Sequence, residues 1–366
     1  MPVTFVSSHA GNGGSEKYLE LLLGELGPAW IRSVVCLEEG PFVARLQQRG
    51  IAPHVIRTSR HSWGIAASAV RLRRLLRQER PALVHANGVK AALVCALAPG
   101  PPVVWLKHDF SRDGWLARLL LRRCNRVIAV SEAVTETFGT RSLGKLSVVH
   151  NALPAIEAHS AEGRRRLLAA VAPAAPETIV VLVGRLDPYK GHTELFAALP
   201  WLQEELPGLH VAFIGGVDPA HPAFAEHLRA ETSRRGLGDA VTFLGHRDDA
   251  VRLVAGADVL AIPSRPLGRF GREGLPYVVL EAMAVGTPVV AYRQGGIPEA
   301  LGQCGLLVPL SDRSGLAEAI VRVVRDEALR ARLIACGKER VATEFSFERM
   351  MSETKGVYLS VADRAR

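Results

Sequence analysis

The sequence predicts an α/β protein made of two doubly wound, Rossmann-like domains. Short apolar segments alternate with segments of helical periodicity along most of the chain, which is typical of parallel sheets covered by helices. The alternation is interrupted once, at residues 154–178. The length of 366 residues is also typical of two domains.

The first half begins with a predicted buried strand at residues 3–7, a glycine turn and an apolar-periodic helix at about 15–26. Further strands are predicted at 31–37, 52–56, 82–85, 103–107, 126–130 and 147–150. Helical segments are predicted between them at 42–49, 68–79 and 115–123. This half should therefore form one parallel sheet with helices on its faces.

The second half begins after a segment rich in Pro and Ala that contains three consecutive arginines, Arg164–Arg166. We interpret this segment as the interdomain connection and the first helix of the second domain. Strands are predicted at 179–184, 211–214, 241–244, 259–262, 289–291 and 306–308. Helices are predicted at 224–235, 249–255 and 314–325, with a last helical region at about 330–365.

Composition narrows the function classes. The net charge of +9 divides into +11 for residues 1–175 and −2 for residues 176–366. A basic half can face nucleic acid, a membrane or an anionic acceptor, or can be an ordinary solvated surface. Nucleic acid is disfavoured because the basic residues lack interleaved aromatics and no binding motif is present.

Three further features indicate a cytoplasmic protein. The five cysteines are scattered and odd in number, which argues against a disulfide scaffold or a zinc site. The first predicted strand begins almost at Met1, which leaves no room for a signal peptide. No uncharged apolar run reaches the roughly 18 residues needed to span a membrane.

The most informative segment runs from residue 273 to residue 299. It contains two carboxylates, Glu273 and Glu281, then a strand-like Pro-Val-Val-Ala-Tyr and a Gly-Gly turn. Loop, short helix, strand and turn in this order place both acids at one end of a sheet, where α/β proteins bind ligands. Carboxylates there can accept hydrogen bonds from sugar hydroxyls.

This segment resembles the donor-binding signature of the retaining glycosyltransferases of family 4, which have the two-lobed GT-B fold. Matching segments follow in the expected order at 12–17, 107–109, 129–132, 148–152 and 183–191. The resemblance covers nearly the whole chain. It implies an acceptor-binding domain at 1–160, a donor-binding domain at 175–340 facing it across a central cleft, and a C-terminal helix at 341–366 that crosses back.

The resemblance also implies catalytic roles. Arg185 and Lys190 lie on one loop after a strand, and both would neutralise the leaving diphosphate, unless they are ordinary surface charges. Glu281 would accept the ribose hydroxyls, and Glu273 would lie near the donor hexose. Other residues implied on the donor side are Gly13, Gly14, Gly215, Arg247, Gly274 and Leu275. Gly274 and Leu275 are expected to open a helix, and their backbone N–H groups are expected to hold phosphate.

His108 follows a predicted strand and, by resemblance, contacts the donor sugar near the reacting carbon; the alternative is a structural histidine. Asp109 could help to orient the acceptor. Ser131 and Asn151 match family turns on the acceptor side, although a structural role is favoured for both. Ala152 replaces the Gly that usually follows the Asn.

The loop at 264–272 departs from the family pattern, because it is longer and contains Arg265, Arg269 and Arg272. One hypothesis is that it folds over the donor sugar and that an arginine reads a carboxylate or phosphate; the favoured alternative is a mobile surface loop. Two Arg-rich apolar stretches, 71–77 and 115–123, suit either packed helices, which we favour, or interfacial membrane helices.

The sequence thus predicts a retaining, metal-independent hexosyltransferase that uses a nucleotide-diphosphate sugar and needs no cofactor. The acceptor could be a glycan, a lipid-linked intermediate or a natural product, and peripheral contact with the inner face of the membrane is an option. Two alternatives stay open: a nucleotide-sugar 2-epimerase of the same fold and a non-catalytic partner subunit.

Overall fold

The computed structural model describes residues 1–59, 61–111, 114–139, 144–171, 176–268 and 271–364, and of Ser62 only the backbone. The chain forms two compact units. One consists of Met1–Asn151 and Phe347–Arg366, and the other of Ala152–Ser346. Each unit has its own parallel sheet, so the predicted α/β class with two Rossmann-like domains is confirmed.

The sheet of the first unit has seven strands in the order β3-β2-β1-β4-β5-β6-β7. The strands are β1 Val3–Ser7, β2 Ile31–Cys36, β3 His54–Val55, β4 Leu83–Asn87, β5 Val103–Lys107, β6 Arg126–Ala129 and β7 Leu146–Val148. The strand order reverses between β1 and β4. Ligands of doubly wound folds bind at such a switch point, beyond the carboxyl ends of the strands.

Helices cover both faces of this sheet. They are α1 Gly14–Glu25, α2 Pro41–Gln48, α3 Ser62–Glu79, α4 Val89–Leu97, α5 Trp115–Arg123, α6 Glu132–Thr135 with a 3₁₀ turn at Glu136–Phe138, and the C-terminal α15 Phe347–Asp363. Helices α3, α4 and α5 are neighbours and share one core cluster with the sheet, to which Leu72, Val94, Leu120 and Trp105 belong.

The second unit repeats the architecture with six strands in the order β10-β9-β8-β11-β12-β13. They are β8 Thr178–Val183, β9 Leu209–Ile214, β10 Val241–Gly245, β11 Val259–Ile262, β12 Val289–Tyr292 and β13 Leu306–Val308. The helices are α7 Ser160–Ala170, α8 His192–Glu205, α9 Pro222–Arg234, α10 Ala250–Val254, α11 Tyr277–Val285, α12 Ile297–Leu301, α13 Arg313–Arg325 and α14 Glu327–Glu344. Its switch point lies between β8 and β11.

Three differences from the prediction concern two helical regions and the cysteines. Helix α4 was missed because it lies between α3 and α5, so its apolar residues show no one-sided period. The region 330–365 is two helices, broken where the chain passes from the second unit to the first. Cys304 and Cys336 form a disulfide, although 32 residues separate them and their spacing gives no such signal.

Among the described residues, no helix combines the length and apolar character that a membrane span requires.

Candidate active site

Two loops meet at the switch point of the second unit. One follows β8 and contains Arg185 and Lys190; the other follows β11 and leads into α11. The backbone N–H of Arg265 donates to the carbonyl of Tyr189 at 2.8 Å. A Cβ on Gly191 would lie 2.0 Å from the carbonyl oxygen of Pro263. The loops are therefore joined by backbone contacts that fix the height of Lys190 above the sheet.

The Lys190 ammonium and the Glu273 carboxylate form an ion pair at 2.7 Å, with side chains 29% and 15% exposed. The backbone of Glu273 is held on both sides. Its N–H donates to Oε1 of Gln294 at 3.1 Å, and its carbonyl accepts from the N–H of Gly296 at 2.8 Å. The Gly-Gly turn after β12 thus has a structural purpose, because a Cβ on Gly295 would meet that carbonyl oxygen at 2.0 Å.

Arg185 is surrounded by acids. Its guanidinium donates to Asp218 at 3.1 Å and lies 3.8 Å from Asp187, while His221 pairs with Asp218 at 3.0 Å. Burial raises the pKa of Asp187. Burial acts in the same direction on Asp218, but the hydrogen bonds from His221 and the Ala220 N–H, together with the charge of Arg185, outweigh it and lower the pKa of that carboxyl.

The acidic pair at Arg185 was not recognised in the sequence, and it bears on the predicted independence of metal ions. Ligand atoms of Asp187, Asp218 and His221 lie within 4.8 Å of one another. They come together because β8 and β9 are adjacent strands, which the spacing of 31 residues along the chain does not reveal. The Arg185 guanidinium already balances part of their charge.

The other predicted donor residues lie at the same edge of the sheet. Glu281 is half-buried in the second turn of α11. The sequence prediction that Gly274 and Leu275 open that helix is wrong. The helix begins at Tyr277 with Pro276 at its N-cap, because a residue that precedes proline is disfavoured in the α conformation. Leu275 is instead buried.

Gly215 and Arg247 follow β9 and β10. A Cβ on Gly215 would lie 1.9 Å from the carbonyl oxygen of Gly184, so packing between β8 and β9 alone accounts for this glycine. The Arg247 guanidinium bonds both oxygens of Asp249, at 2.8 and 2.9 Å. Both residues lie at the carboxyl edge of the sheet, and each also has a structural explanation, so their role toward the donor stays a prediction.

In the first unit, Gly13 is the N-cap of α1 and Gly14 is its first residue. The carboxylate of Glu16 folds back under the turn, where it accepts from the N–H of Gly11 at 3.3 Å and from the Ser15 hydroxyl at 2.8 Å. A Cβ on Gly13 would lie 2.7 Å from that carboxylate. The turn is thus held in one shape with a helix N-terminus behind it.

His108 lies beyond β5 at the same edge, and Asn87 ends β4. The Asn87 amide donates to the carbonyl of Ser15 at 3.0 Å, which turns its Oδ1 toward Nε2 of His108 at 2.6 Å. Nε2 therefore carries the proton and Nδ1 is the acceptor. Burial lowers the pKa of His108 to about 4, so the ring is neutral at pH 7. Sequence reasoning missed Asn87 because β4 was predicted to end two residues earlier.

Among the predicted acceptor-side residues, Asp109 and Ser131 have local structural partners. Asp109 is exposed and accepts from the backbone N–H and the hydroxyl of Ser111, at 3.0 and 2.6 Å. Ser131 is buried and caps α6 by accepting from the N–H of Val134. Asn151 is buried at the end of the first unit. Their role toward an acceptor stays a prediction.

The base of the Arg-rich loop is anchored. Arg265 lies 3.4 Å from the fully buried carboxylate of Glu194, to which Arg313 donates two hydrogen bonds at 3.0 and 3.1 Å. At the other end, a Cβ on Gly271 would meet the Tyr189 side chain at 2.7 Å. Arg269, one of the three loop arginines that could read the donor sugar in that hypothesis, lies outside the described residues.

Two fully buried histidines, His85 in the first unit and His192 in the second, should make the protein sensitive to acid. Burial lowers the pKa of His85 to about 3 and that of His192 to about 4. Between these values and pH 6.5 the unfolded chain binds more protons than the folded one, so stability falls as the pH falls. Each should remove roughly 2 kcal/mol of unfolding free energy between pH 7 and pH 5.

Urea unfolding at the two pH values measures this loss. The His192→Phe variant is the comparison for the second unit, because the ring already packs against Phe213 and Phe224. Between pH 7 and pH 5 the variant should lose roughly 2 kcal/mol less unfolding free energy than the parent protein, because it lacks one buried histidine. An equal loss in variant and parent would exclude His192 as the cause.

Comparison with known proteins agrees with the fold and the order of these segments. Residues 12–155 match the family Glycosyltransferase Family 4, and residues 177–326 match the family Glycosyl transferases group 1. Fold and site therefore define the class of GT-B glycosyltransferases. The chain belongs to family 4 of this class.

Individual proteins to which this chain is similar have low sequence identity to it. Phosphatidyl-myo-inositol mannosyltransferase of Mycobacterium leprae is 36% identical over 188 residues, which cover 50% of this chain and 46% of the relative. Glycogen synthase of Mycobacterium tuberculosis is 27% identical over 82% of this chain and 67% of its own length. Anabaena HepE, solved with UDP and glucose, superposes with a TM-score of 0.86 at 24% identity, over 98% of this chain and 100% of HepE.

Proposed function

We propose that this protein transfers a hexose-type sugar from a nucleotide-diphosphate sugar to an acceptor hydroxyl, with retention of anomeric configuration. The observation that carries the proposal is the arrangement of Arg185 and the Lys190–Glu273 pair on loops at the switch point of the second unit. Two cations on one short loop suit a diphosphate, and an acid beside them suits a sugar hydroxyl.

In the proposed reaction, the bond from the anomeric carbon to the β-phosphate oxygen breaks, and negative charge grows on the diphosphate. Lys190 and Arg185 stabilise that charge. A bond from the acceptor oxygen to the same face of the anomeric carbon forms, and the acceptor proton passes to the departing phosphate oxygen. Glu273 therefore orients the sugar without acting as a base. Nδ1 of neutral His108 accepts a hydrogen bond from a sugar hydroxyl.

The relatives support a nucleotide-sugar donor and leave its base open. One is described as a mannosyltransferase acting on a phosphatidyl-inositol, one as glycogen synthase, and HepE was solved with UDP. We propose a glycan or lipid-linked acceptor held by the first unit and a donor held by the second. We also place the protein in the cytoplasm, in peripheral contact with the inner face of the membrane.

We propose that the transfer needs no metal ion, because Arg185 and Lys190 supply the positive charge that a divalent ion provides in other transferases. The cluster of Asp187, Asp218 and His221 makes this worth testing. Turnover should be unchanged by excess EDTA and by added Mg²⁺ or Mn²⁺. Turnover that is lost in EDTA and restored by a divalent ion would contradict the proposal.

Replacing Glu281 by Gln should weaken binding of the nucleoside diphosphate by about ten- to a hundredfold, because hydrogen bonds to a charged group contribute about 1.5–3 kcal/mol each. Glu281 is proposed to accept both ribose hydroxyls. Calorimetric titration with the nucleoside diphosphate measures the effect, and Glu318→Gln, at an exposed position in the same unit, is the matched control. Equal affinity in the two variants would remove Glu281 from the site.

A panel of UDP-, GDP- and dTDP-sugars tests the whole assignment. The correct donor should raise the melting temperature, since a ligand that binds only the folded state stabilises it. With an acceptor hydroxyl present, the product should keep the anomeric configuration of the donor. Isomerised nucleotide sugar without acceptor would indicate an epimerase. If no nucleotide sugar of the panel raises the melting temperature, the protein would be a non-catalytic subunit.

A further inference from the structure

One outer surface of the first unit combines exposed aromatic rings with dense positive charge. It is formed by α3 and α5, which lie on either side of α4 and bury their inner stripes in one core cluster with the sheet. The apolar residues of the two Arg-rich stretches therefore pack in the core, which is the alternative favoured from the sequence. The outward sides of the same helices have no packing partner among the described residues and carry the features described below.

Large apolar side chains on these outward sides are exposed to solvent. Trp63 is 86% exposed and Trp115 is 76% exposed. Val70, also exposed, lies about two turns after Trp63 in α3, and the exposed Leu119 lies about one turn after Trp115 in α5. Isolated exposed apolar residues are ordinary, but two mostly exposed tryptophans on the two helices that flank α4 are not.

Both tryptophans lie at the carboxyl edge of the sheet of the first unit. Each is at the start of a helix that follows a strand of the parallel sheet, so both lie at the edge where the strands have their carboxyl ends. His108 and Asn87 lie at that same edge of the unit. The exposed aromatic rings therefore border the part of the unit to which the acceptor is assigned.

The charge on this surface has one sign. Seven exposed arginines belong to it: Arg71, Arg73, Arg74, Arg77, Arg118, Arg122 and Arg123. Helix α5 contains no acidic residue, and Glu79, the one acid in α3, is ion-paired with Arg32 at 2.7 Å. Such a surface complements a dense layer of negative charge.

We propose that the outward side of α3 and α5 is a docking surface for an anionic lipid bilayer. Tryptophan favours the bilayer interface, where its ring is apolar and its N–H meets water, and arginines bind the acidic headgroups below. The carboxyl edge then faces the bilayer, which favours a lipid-linked acceptor; that last step alone rests on the proposed function.

Binding to vesicles tests the docking surface without any nucleotide or acceptor. The full chain should float with vesicles of phosphatidylcholine and phosphatidylglycerol, should not float with phosphatidylcholine alone, and should be released by high salt. Neutralising Arg73, Arg77 and Arg122 to Gln should lower the partition coefficient by about a hundredfold, because each arginine near an anionic surface contributes roughly fivefold. Replacing Trp63 and Trp115 by Ser should lower it by on the order of tenfold.

The controls lie in the second unit. Trp201→Ser removes another exposed tryptophan, and the pair Arg322→Gln and Arg332→Gln removes exposed charge. Both should bind vesicles like the parent. Parent protein that fails to bind anionic vesicles at low salt, or test and control variants that lose binding equally, would overturn the proposal. So would self-association in solution that the Trp63→Ser and Trp115→Ser changes abolish, because a second copy would then occupy the surface. Donor binding and sugar transfer are measured separately, so failure here would remove the proposed membrane contact and leave the proposed transferase activity intact.

Discussion

Replacing Lys190 by Ala should lower turnover by about a hundredfold to a thousandfold. The ammonium is half-buried beside Glu273 and lies on the loop that carries Arg185, where it is proposed to stabilise the charge that grows on the leaving diphosphate. Removal of one such preorganised donor typically costs this much in kcat. The loss should appear in kcat more than in KM, because the charge it stabilises grows in the transition state.

Two variants separate this role from general damage. Lys190→Arg keeps the positive charge and should recover part of the turnover, although its planar fork does not reproduce a point charge. Lys338→Ala removes another lysine of the second unit at an exposed position and should be neutral. Circular dichroism and melting temperature check that Lys190→Ala is folded. Turnover within a few-fold of the parent would remove Lys190 from the reacting centre.

Replacing Gly191 by Ala should lower the free energy of unfolding of the second unit by about 2–4 kcal/mol. The residue has φ +82°, a region that side chains disfavour by roughly 1–2 kcal/mol, and the new Cβ would lie 2.0 Å from a backbone oxygen. The backbone of Pro263 or the start of α8 would have to move. Lys190 precedes this residue directly, so any movement also displaces the proposed phosphate-binding cation.

The melting temperature reports this change, at about 2–4 °C per kcal/mol for a domain of this size. Gly238→Ala is the matched control, because its Cβ would have nothing within 4 Å and its φ is not positive. A Gly191→Ala protein that melts with the control would show that the two loops can separate freely. The proposed rigid support of Lys190 would then be wrong.

The alternation of apolar and periodic segments was enough to predict both sheets, because each strand of a parallel sheet must be followed by a covering helix. The prediction of individual elements was less accurate where an element is buried on more than one side. Helix α4, packed between two neighbours, showed no one-sided pattern. Strand β4 was cut short at residue 85, because the polar Asn87 at its end reads as loop. One consequence was that the partner of His108 was missed.

The site shows a similar division. Residues that share a loop, such as Arg185 and Lys190, can be recognised from sequence because their spacing is local. Residues that meet through sheet order cannot, since adjacency of β8 with β9 brings Asp218 to Arg185 and adjacency of β8 with β11 brings the Glu273 loop to Lys190. The disulfide between Cys304 and Cys336 likewise depends on a contact distant in sequence, because Arg340 of α14 donates to the carbonyls of Glu299 and Ala300 in α12, which Cys304 follows.

A crystal structure with a bound nucleotide sugar tests the central claim most directly. The account predicts that diphosphate oxygens lie within hydrogen-bonding distance of Lys190 and Arg185, with a sugar hydroxyl on Glu273 and the ribose on Glu281. A nucleotide bound elsewhere, with Lys190 still paired only to Glu273 and Arg185 only to Asp218, would contradict it.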